Sequence, residues 1–146
     1  MTAAWTAALK EMHLQTDLTG GAEIVVSSGT EWGPLAVRLQ ERLRARTGAE
    51  LPIVSGERVA LSHLENRHWV LLGSAVDNPA LAALYRRQYA FVDDFYPGVD
   101  GYVLRTVHNP FNCGHNLLLV GAGQPRGAAA ALDRLDRLLT ENGSPL

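Results

Sequence analysis

The stretch that most constrains the fold runs from residue 100 to residue 127 and has the sequence DGYVLRTVHNPFNCGHNLLLVGAGQPRG. Residues 101–107 alternate between two faces, as expected for a half-buried strand. Residues 117–120 form a continuous apolar run, which is typical of a strand covered on both faces. Because residues 109–116 between them are rich in turn formers, the pattern predicts an antiparallel hairpin with a long loop, followed by a final helix.

The rest of the chain predicts further strands and helices from periodicity and end signals. Apolar or β-branched runs indicate strands, and an apolar stripe between a proline and a glycine indicates a helix. The predicted strands are 23–26, 51–55 and 68–72, and the predicted helices are 3–14, 34–47, 79–88 and 125–140, with a helical turn within 57–67. This order predicts an α+β fold with a single mixed β-sheet of about five strands and helices packed on it.

The size and composition of the chain fit one domain. With 146 residues, 47% of them hydrophobic, and a net charge of −2, nothing indicates a nucleic acid or an anionic membrane as partner. No apolar run reaches the roughly 20 residues of a membrane span, and the N-terminus lacks the features of a signal peptide. We therefore expect one soluble domain over 1–146, with its core at about 22–140 and a linker or tail at 141–146. The sequence does not indicate the cellular compartment.

A glycine-rich turn lies between the last predicted strand and the last predicted helix. Gly121, Gly123 and Gly127 can bring backbone amides close to a phosphate, and Arg126 would add positive charge. A dinucleotide fold needs a further strand with an acidic residue about 20 residues later, and the sequence has none. Since a strand-to-helix turn requires glycines for its geometry in any case, phosphate binding is the alternative interpretation.

The hairpin loop contains His108, Cys113 and His115, which are residue types that bind zinc. A structural zinc site has four ligands, and no fourth ligand is apparent nearby. The favoured interpretation is a loop whose polar side chains bond its own backbone, with metal binding as a weak alternative. We expect no cofactor. An internal disulfide is excluded because Cys113 is the one cysteine of the chain.

No pattern indicates a reaction centre. Asp93 and Asp94 are adjacent, so on an extended segment they point to opposite faces and would not share a substrate. No serine lies in a nucleophile-elbow pattern. We therefore assign no catalytic residue.

Three aromatic residues, Trp32, Tyr96 and Phe111, lie beside glycine or proline in predicted loops. Exposed aromatic faces stack on sugar rings, so these residues are the best candidates for contacts with carbohydrate. The alternative is that they anchor their loops on the core.

Several short motifs together resemble a known kind of domain. They are GYVLRT at 101–106, NLLLVG at 116–121, PRGA at 125–128, LLG at 71–73, Asn78, Leu84-Tyr85 and YPG at 96–98. The set resembles the small α/β domain that precedes the catalytic domain in many carbohydrate-active enzymes. It looks closest to the N-terminal region of heparinase II/III-like polysaccharide-lyase-related proteins, and more distantly to the N-terminal domains of β-hexosaminidases and α-glucuronidases.

The resemblance implies a zincin-like shape without the zinc motif, no catalytic residue, and catalysis in a separate lyase or hydrolase domain. The leading hypothesis is a non-catalytic accessory or scaffold domain that packs on a catalytic domain of the same or a partner chain and contacts polysaccharide. The expected binding rim consists of Trp32, Tyr96, Arg105, His108, Asn109 and Phe111. The alternative is a small standalone protein or enzyme that binds a phosphate or nucleotide ligand through the turn from Gly121 to Gly127.

Overall fold

The computed structural model describes residues 18–19 and 21–141. The strands are β1 (Glu23–Val26), β2 (Ile53–Ser55), β3 (Trp69–Gly73), β4 (Val103–Val107) and β5 (Leu117–Gly121). The α-helices are α1 (Gly33–Thr47), α2 (Pro79–Arg86) and α3 (Pro125–Glu141), and two short 3-10 helices, Gly56–Arg58 and Leu61–Glu65, connect β2 to β3. The helix predicted at 3–14 lies outside the described residues.

The five strands form one mixed sheet in the order β2-β1-β3-β5-β4. The pairings of β1 with β2, β1 with β3 and β3 with β5 are parallel. The pairing of β4 with β5 is antiparallel, with Val103 opposite Gly121. The predicted hairpin and the predicted mixed sheet with packed helices are therefore confirmed.

Helices cover the sheet on both faces. On one face α1 and α3 pack through Leu39 and Leu132 against Ile24 of β1 and its neighbours in the sheet. On the other face α2 and the second 3-10 helix pack through Leu81 and Leu64. The central strands are consequently buried on both sides, which explains why β3 and β5 are continuous apolar runs.

Buried Asn78 fixes the start of α2 against two strands. Its side-chain oxygen accepts a hydrogen bond from the amide of Ala80 at 3.1 Å, as an N-cap residue does. Its Nδ2 donates to the carbonyl oxygens of Val25 in β1 and Leu72 in β3, at 3.4 and 3.2 Å. The orientation of α2 is thus tied to the centre of the sheet.

The chain leaves neighbouring parallel strands toward opposite faces. After β1 it enters α1 on one face, after β3 it enters α2 on the other, and after β5 it enters α3 on the first face again. We call the side of the sheet where β1, β3 and β5 end the carboxyl edge, and the opposite side the amino edge. Such a reversal opens a crevice at the carboxyl edge, where ligands bind in open α/β sheets.

Within the described part of the chain, no helix combines the length and apolar character that crossing a membrane requires.

Candidate functional site

A pocket of about 360 Å³ occupies the crevice at the carboxyl edge, and we call it the carboxyl-edge pocket. Its volume falls within the range of about 300–1,000 Å³ that is usual for small-molecule sites. Its walls come from the segments that follow β1, β3 and β5, together with one residue of the segment before β4. The lining includes Ser28, Glu31, Trp32, Ser74, Asp77 and Asp94.

Asp77 connects the segments that follow β1 and β3. Its Oδ2 accepts a hydrogen bond from Trp32 Nε1 at 3.1 Å, and its Oδ1 accepts one from Ser74 Oγ at 3.2 Å. Its backbone oxygen accepts from the amide of Ser28 at 3.0 Å and from Ser28 Oγ at 3.1 Å. The Oδ2 atom and the carbonyl oxygen therefore hold the two walls of the pocket together, while Oδ1 fixes the carboxylate within its own segment.

The lining of the carboxyl-edge pocket is polar and negatively charged. Glu31 and Asp94 form no ion pair or side-chain hydrogen bond with any other described residue. Thr30 and Gln124 add further hydrogen-bonding groups, and the lining includes no Arg, Lys or His. The lining therefore favours a molecule that donates hydrogen bonds, such as a polyol, over an anion such as phosphate.

A turn at residues 93–97 contributes Asp94 to this pocket and carries two aromatic residues directly after it, and we call it the aromatic turn. Asp93 Oδ1 accepts hydrogen bonds from the amides of Phe95 and Tyr96, at 2.8 and 2.9 Å, and Asp93 Oδ2 accepts one from the Tyr85 hydroxyl at 2.8 Å. The bonds from Tyr96, Tyr85 and Phe95 lower the pKa of Asp93. The Asp93 carboxylate in turn raises the pKa of Tyr85.

The aromatic turn leaves its own aromatic rings in solvent. Phe95 is 94% exposed and Tyr96 is 59% exposed. The preceding residue, Asp94, lines the pocket. An aromatic ring this exposed contributes little to the core and is accessible to a bound molecule.

The six residues of the expected rim do not lie together. Trp32 and Tyr96 are at the carboxyl edge, whereas His108, Asn109 and Phe111 are in the β4–β5 loop at the amino edge. Arg105 lies between them, exposed in the middle of β4. Because the strands between the two edges are five residues long, about 17 Å separate these groups.

The exposure expected for Trp32 is wrong, while that of Tyr96 is confirmed. Trp32 is only 4% exposed, because its ring packs into the core beside α1 and its indole N–H is bonded to Asp77. Phe111 is partly buried, with the guanidinium of Arg87 5.4 Å from its ring centroid. Trp32 therefore forms part of the wall of the pocket, and Tyr96 lies exposed in the turn that contributes Asp94 to it.

The β4–β5 loop bonds its own backbone, as the favoured interpretation predicts. Asn116 Oδ1 accepts from the amide of Asn109 at 2.9 Å, and Asn109 Oδ1 accepts from the amide of Gly114 at 2.7 Å. The His115 ring contacts the His68 ring edge to face, with centroids 5.1 Å apart. Among the described residues, His108, Cys113 and His115 do not form part of any group of three or more side chains able to hold a metal ion.

The glycines of the turn before α3 allow close packing. Gly121 faces the side chain of Val92, and Gly127 faces the carbonyl of Gly101. A Cβ at Gly123 would lie 2.6 Å from the carbonyl oxygen of Asp93, so glycine there lets the aromatic turn approach β5. Arg126 is ion-paired with Asp100.

Sequence reasoning missed Glu31, Asp77 and Phe95 as site residues. Glu31 and Asp77 follow β1 and β3 within a few residues, so the available signal was their position after the carboxyl ends of parallel strands. That signal requires the strand order, which the sequence pattern alone does not provide. In comparisons with known proteins, no protein-family model and no curated protein matches this chain.

Proposed function

We propose that this chain is a non-catalytic accessory domain of a carbohydrate-active enzyme and that it binds a glycan at the carboxyl-edge pocket. The observation that carries the proposal is the combination of a polar pocket with an aromatic turn whose Phe95 ring is 94% exposed. A sugar has an apolar ring face and a rim of hydroxyl groups. A binding site for it therefore needs an aromatic surface beside acceptors of hydrogen bonds.

The pocket offers each of these groups. Phe95 and Tyr96, which follow the lining residue Asp94, supply exposed aromatic faces on which a sugar ring can stack. Glu31 and Asp94 have carboxylate oxygens without partners among the described residues, and hydrogen bonds from hydroxyls to carboxylates are stronger than those between neutral groups. Thr30 and Gln124 add further donors and acceptors at the same site.

The partner implied by an accessory domain is a catalytic domain, in the same chain or in another. Phe91 and Val99, on either side of the aromatic turn, are 48% and 56% exposed. Exposed apolar side chains are a feature of surfaces that contact another protein. They support a docking face for the catalytic domain close to the glycan site.

Affinity gel electrophoresis in gels that contain the neutral polysaccharides xylan, galactomannan or β-glucan tests the proposal. We expect at least one of these polysaccharides to retard the wild-type protein. Phe95→Ala and Asp94→Asn should each remove most of the retardation, because they delete the stacking face and one acceptor. Tyr89→Ala is the matched control, since Tyr89 is an exposed aromatic residue that contacts Phe111, away from this pocket.

Retardation that is equally strong in wild type, Phe95→Ala and Asp94→Asn would refute this binding site. Migration unaffected by every polysaccharide would refute glycan binding by this domain.

The alternative function, binding of phosphate or a nucleotide at the Gly121–Gly127 turn, has less support. Asp94 and Glu31 line the pocket at this turn and would repel an anion, and the charge of Arg126 is neutralised by Asp100. Thermal-shift measurements with ATP and glucose 6-phosphate distinguish the two functions. A stabilisation that is lost in Arg126→Gln would favour the alternative.

A further inference from the structure

A second pocket of about 240 Å³ lies at the amino edge of the sheet, and we call it the amino-edge pocket. It is lined by Glu23 and Trp69, at the starts of β1 and β3, and by Arg58, His63 and Arg67 from the connection between β2 and β3. It shares no residue with the carboxyl-edge pocket, so the glycan proposal does not account for it.

Trp69 has a hydrogen-bond donor that is not satisfied. The residue is 2% exposed, and its indole Nε1 is buried without an acceptor among the described residues. Buried polar groups almost always have partners in native proteins, so an exception calls for an explanation such as a bound ion. Trp69 is also a lining residue of the amino-edge pocket, so an occupant of that pocket is a candidate acceptor for its indole N–H.

The charged groups around Trp69 determine what kind of acceptor fits. Arg67 Nη1 donates to Glu23 Oε1 at 2.7 Å, and the Arg67 guanidinium carbon lies 5.5 Å from the centroid of the Trp69 ring. Arg58 has no acidic partner among the described residues. Two guanidinium groups thus face one carboxylate, and the pocket has a surplus of positive charge.

His63 contributes one more donor. Its Nδ1 accepts a hydrogen bond from the amide of Ala60 at 3.3 Å, which assigns the ring proton to Nε2. The indole N–H, the guanidinium groups and this imidazole N–H are all donors, and the positive charge of the arginines selects an anionic acceptor over water.

We infer that the amino-edge pocket binds a small oxyanion, which accepts hydrogen bonds from Trp69 Nε1 and from the guanidinium groups of Arg58 and Arg67. The chemistry is that of phosphate, sulfate or carboxylate, either as a free ion or as a substituent of a larger molecule. A bidentate guanidinium contact matches two oxygens of any of these groups.

Titration of the ¹⁵N-labelled full chain tests this inference. The indole N–H signal of Trp69, assigned from its loss in Trp69→Phe, is followed as inorganic phosphate, sulfate or glucuronate is added at constant ionic strength. We expect a saturable shift of this signal and none for the indole of Trp32, which is already bonded to Asp77. Saturation with phosphate or sulfate identifies a site for the free ion, and saturation with glucuronate alone identifies a site for a carboxylate substituent.

Variants separate this site from general charge effects. Arg58→Gln should weaken the apparent affinity about tenfold, since a charge-assisted contact is lost. Arg137→Gln removes the same charge from an exposed position on α3, which packs on the opposite face of the sheet from Trp69, and should leave the affinity unchanged. Glucose at the same concentrations should not move the Trp69 signal.

Absence of a saturable shift with all three anions would overturn the inference and leave a bridging water as the partner of Trp69. Equal affinity in Arg58→Gln and wild type would overturn the assigned contact. Neither result bears on the glycan proposal, which is tested at the other edge of the sheet.

Discussion

At the scale of single residues, Asp77 and Asp94 line the same pocket but have different roles. Asp77 accepts hydrogen bonds from Trp32, Ser74 and Ser28, whereas Asp94 has no side-chain hydrogen bond or ion pair with another described residue. One carboxylate therefore maintains the structure, and the other is available to a bound molecule.

Urea denaturation of alanine variants measures this difference. Asp77→Ala should lower the free energy of unfolding by about 2–3 kcal/mol, because it leaves the indole N–H of buried Trp32 without an acceptor. Asp94→Ala is the matched control, and we expect its stability to stay within about 0.5 kcal/mol of wild type. Equal losses in the two variants would contradict the roles assigned here.

The aromatic turn should loosen at acidic pH. Hydrogen bonds lower the pKa of Asp93 in the folded protein, so the stabilisation by its carboxylate is complete above the ordinary carboxyl pKa and is lost as the pH falls through the lowered one. The amide NMR signals of Phe95 and Tyr96 should therefore move together at a pH below the usual range of aspartate. In Asp93→Asn this titration should disappear, and signals that stay fixed in wild type down to strongly acidic pH would refute the coupling.

At the scale of secondary structure elements, Asn78 joins α2 to β1 and β3. Its side chain caps the helix and also satisfies two buried carbonyl groups of the sheet. The fully buried side-chain amide of Asn78 thus positions α2 and also the neighbouring segment that carries Asp77.

Two substitutions at Asn78 separate these roles. Asn78→Ser retains an acceptor for the helix N-terminus but is too short to reach both carbonyls, so we expect a loss of about 1–2 kcal/mol. Asn78→Ala also removes the cap and should cost about 1 kcal/mol more. Thermal unfolding followed by circular dichroism measures both, and equal stability of Asn78→Ser and Asn78→Ala would show that the cap contributes nothing.

At the scale of the whole molecule, the two pockets lie at opposite edges of the same parallel strands. Glu23 and Trp69 begin β1 and β3, while Ser28 and Ser74 follow their ends. The strands between them are buried and closely packed, so they have no second conformation through which a ligand in one pocket could alter the other. We therefore expect occupancy of one pocket to leave the affinity of the other unchanged.

Isothermal titration tests this independence. The affinity for a polysaccharide that binds at the carboxyl-edge pocket should be the same, within a factor of about two, with and without saturating phosphate. A change of tenfold or more would require a coupling free energy of about 1.4 kcal/mol and would contradict independent sites.

The arrangement of elements could largely be predicted from the sequence because its signals are local. Pro34, Pro79 and Pro125 mark helix starts, and Gly48 ends α1 with a left-handed φ of 77°. The pocket could not be predicted in the same way, since Ser28 and Asp77 are 49 residues apart and meet only through the strand order. The burial of Trp32 could not be predicted either, because the glycine and proline that follow it indicate a loop but not the direction of its side chain.

The bonds that Asp77 makes across the crevice have a consequence for the rate and heat of association. Because these bonds already join the segments that follow β1 and β3, the sugar of the proposed function would meet both of these walls in place, and neither segment would have to be ordered on binding. Association should then resemble the docking of rigid bodies, with backbone positions around Ser28 and Ser74 nearly the same before and after. The conformational entropy of ordering this region is lost once, during folding, and not again with each binding event.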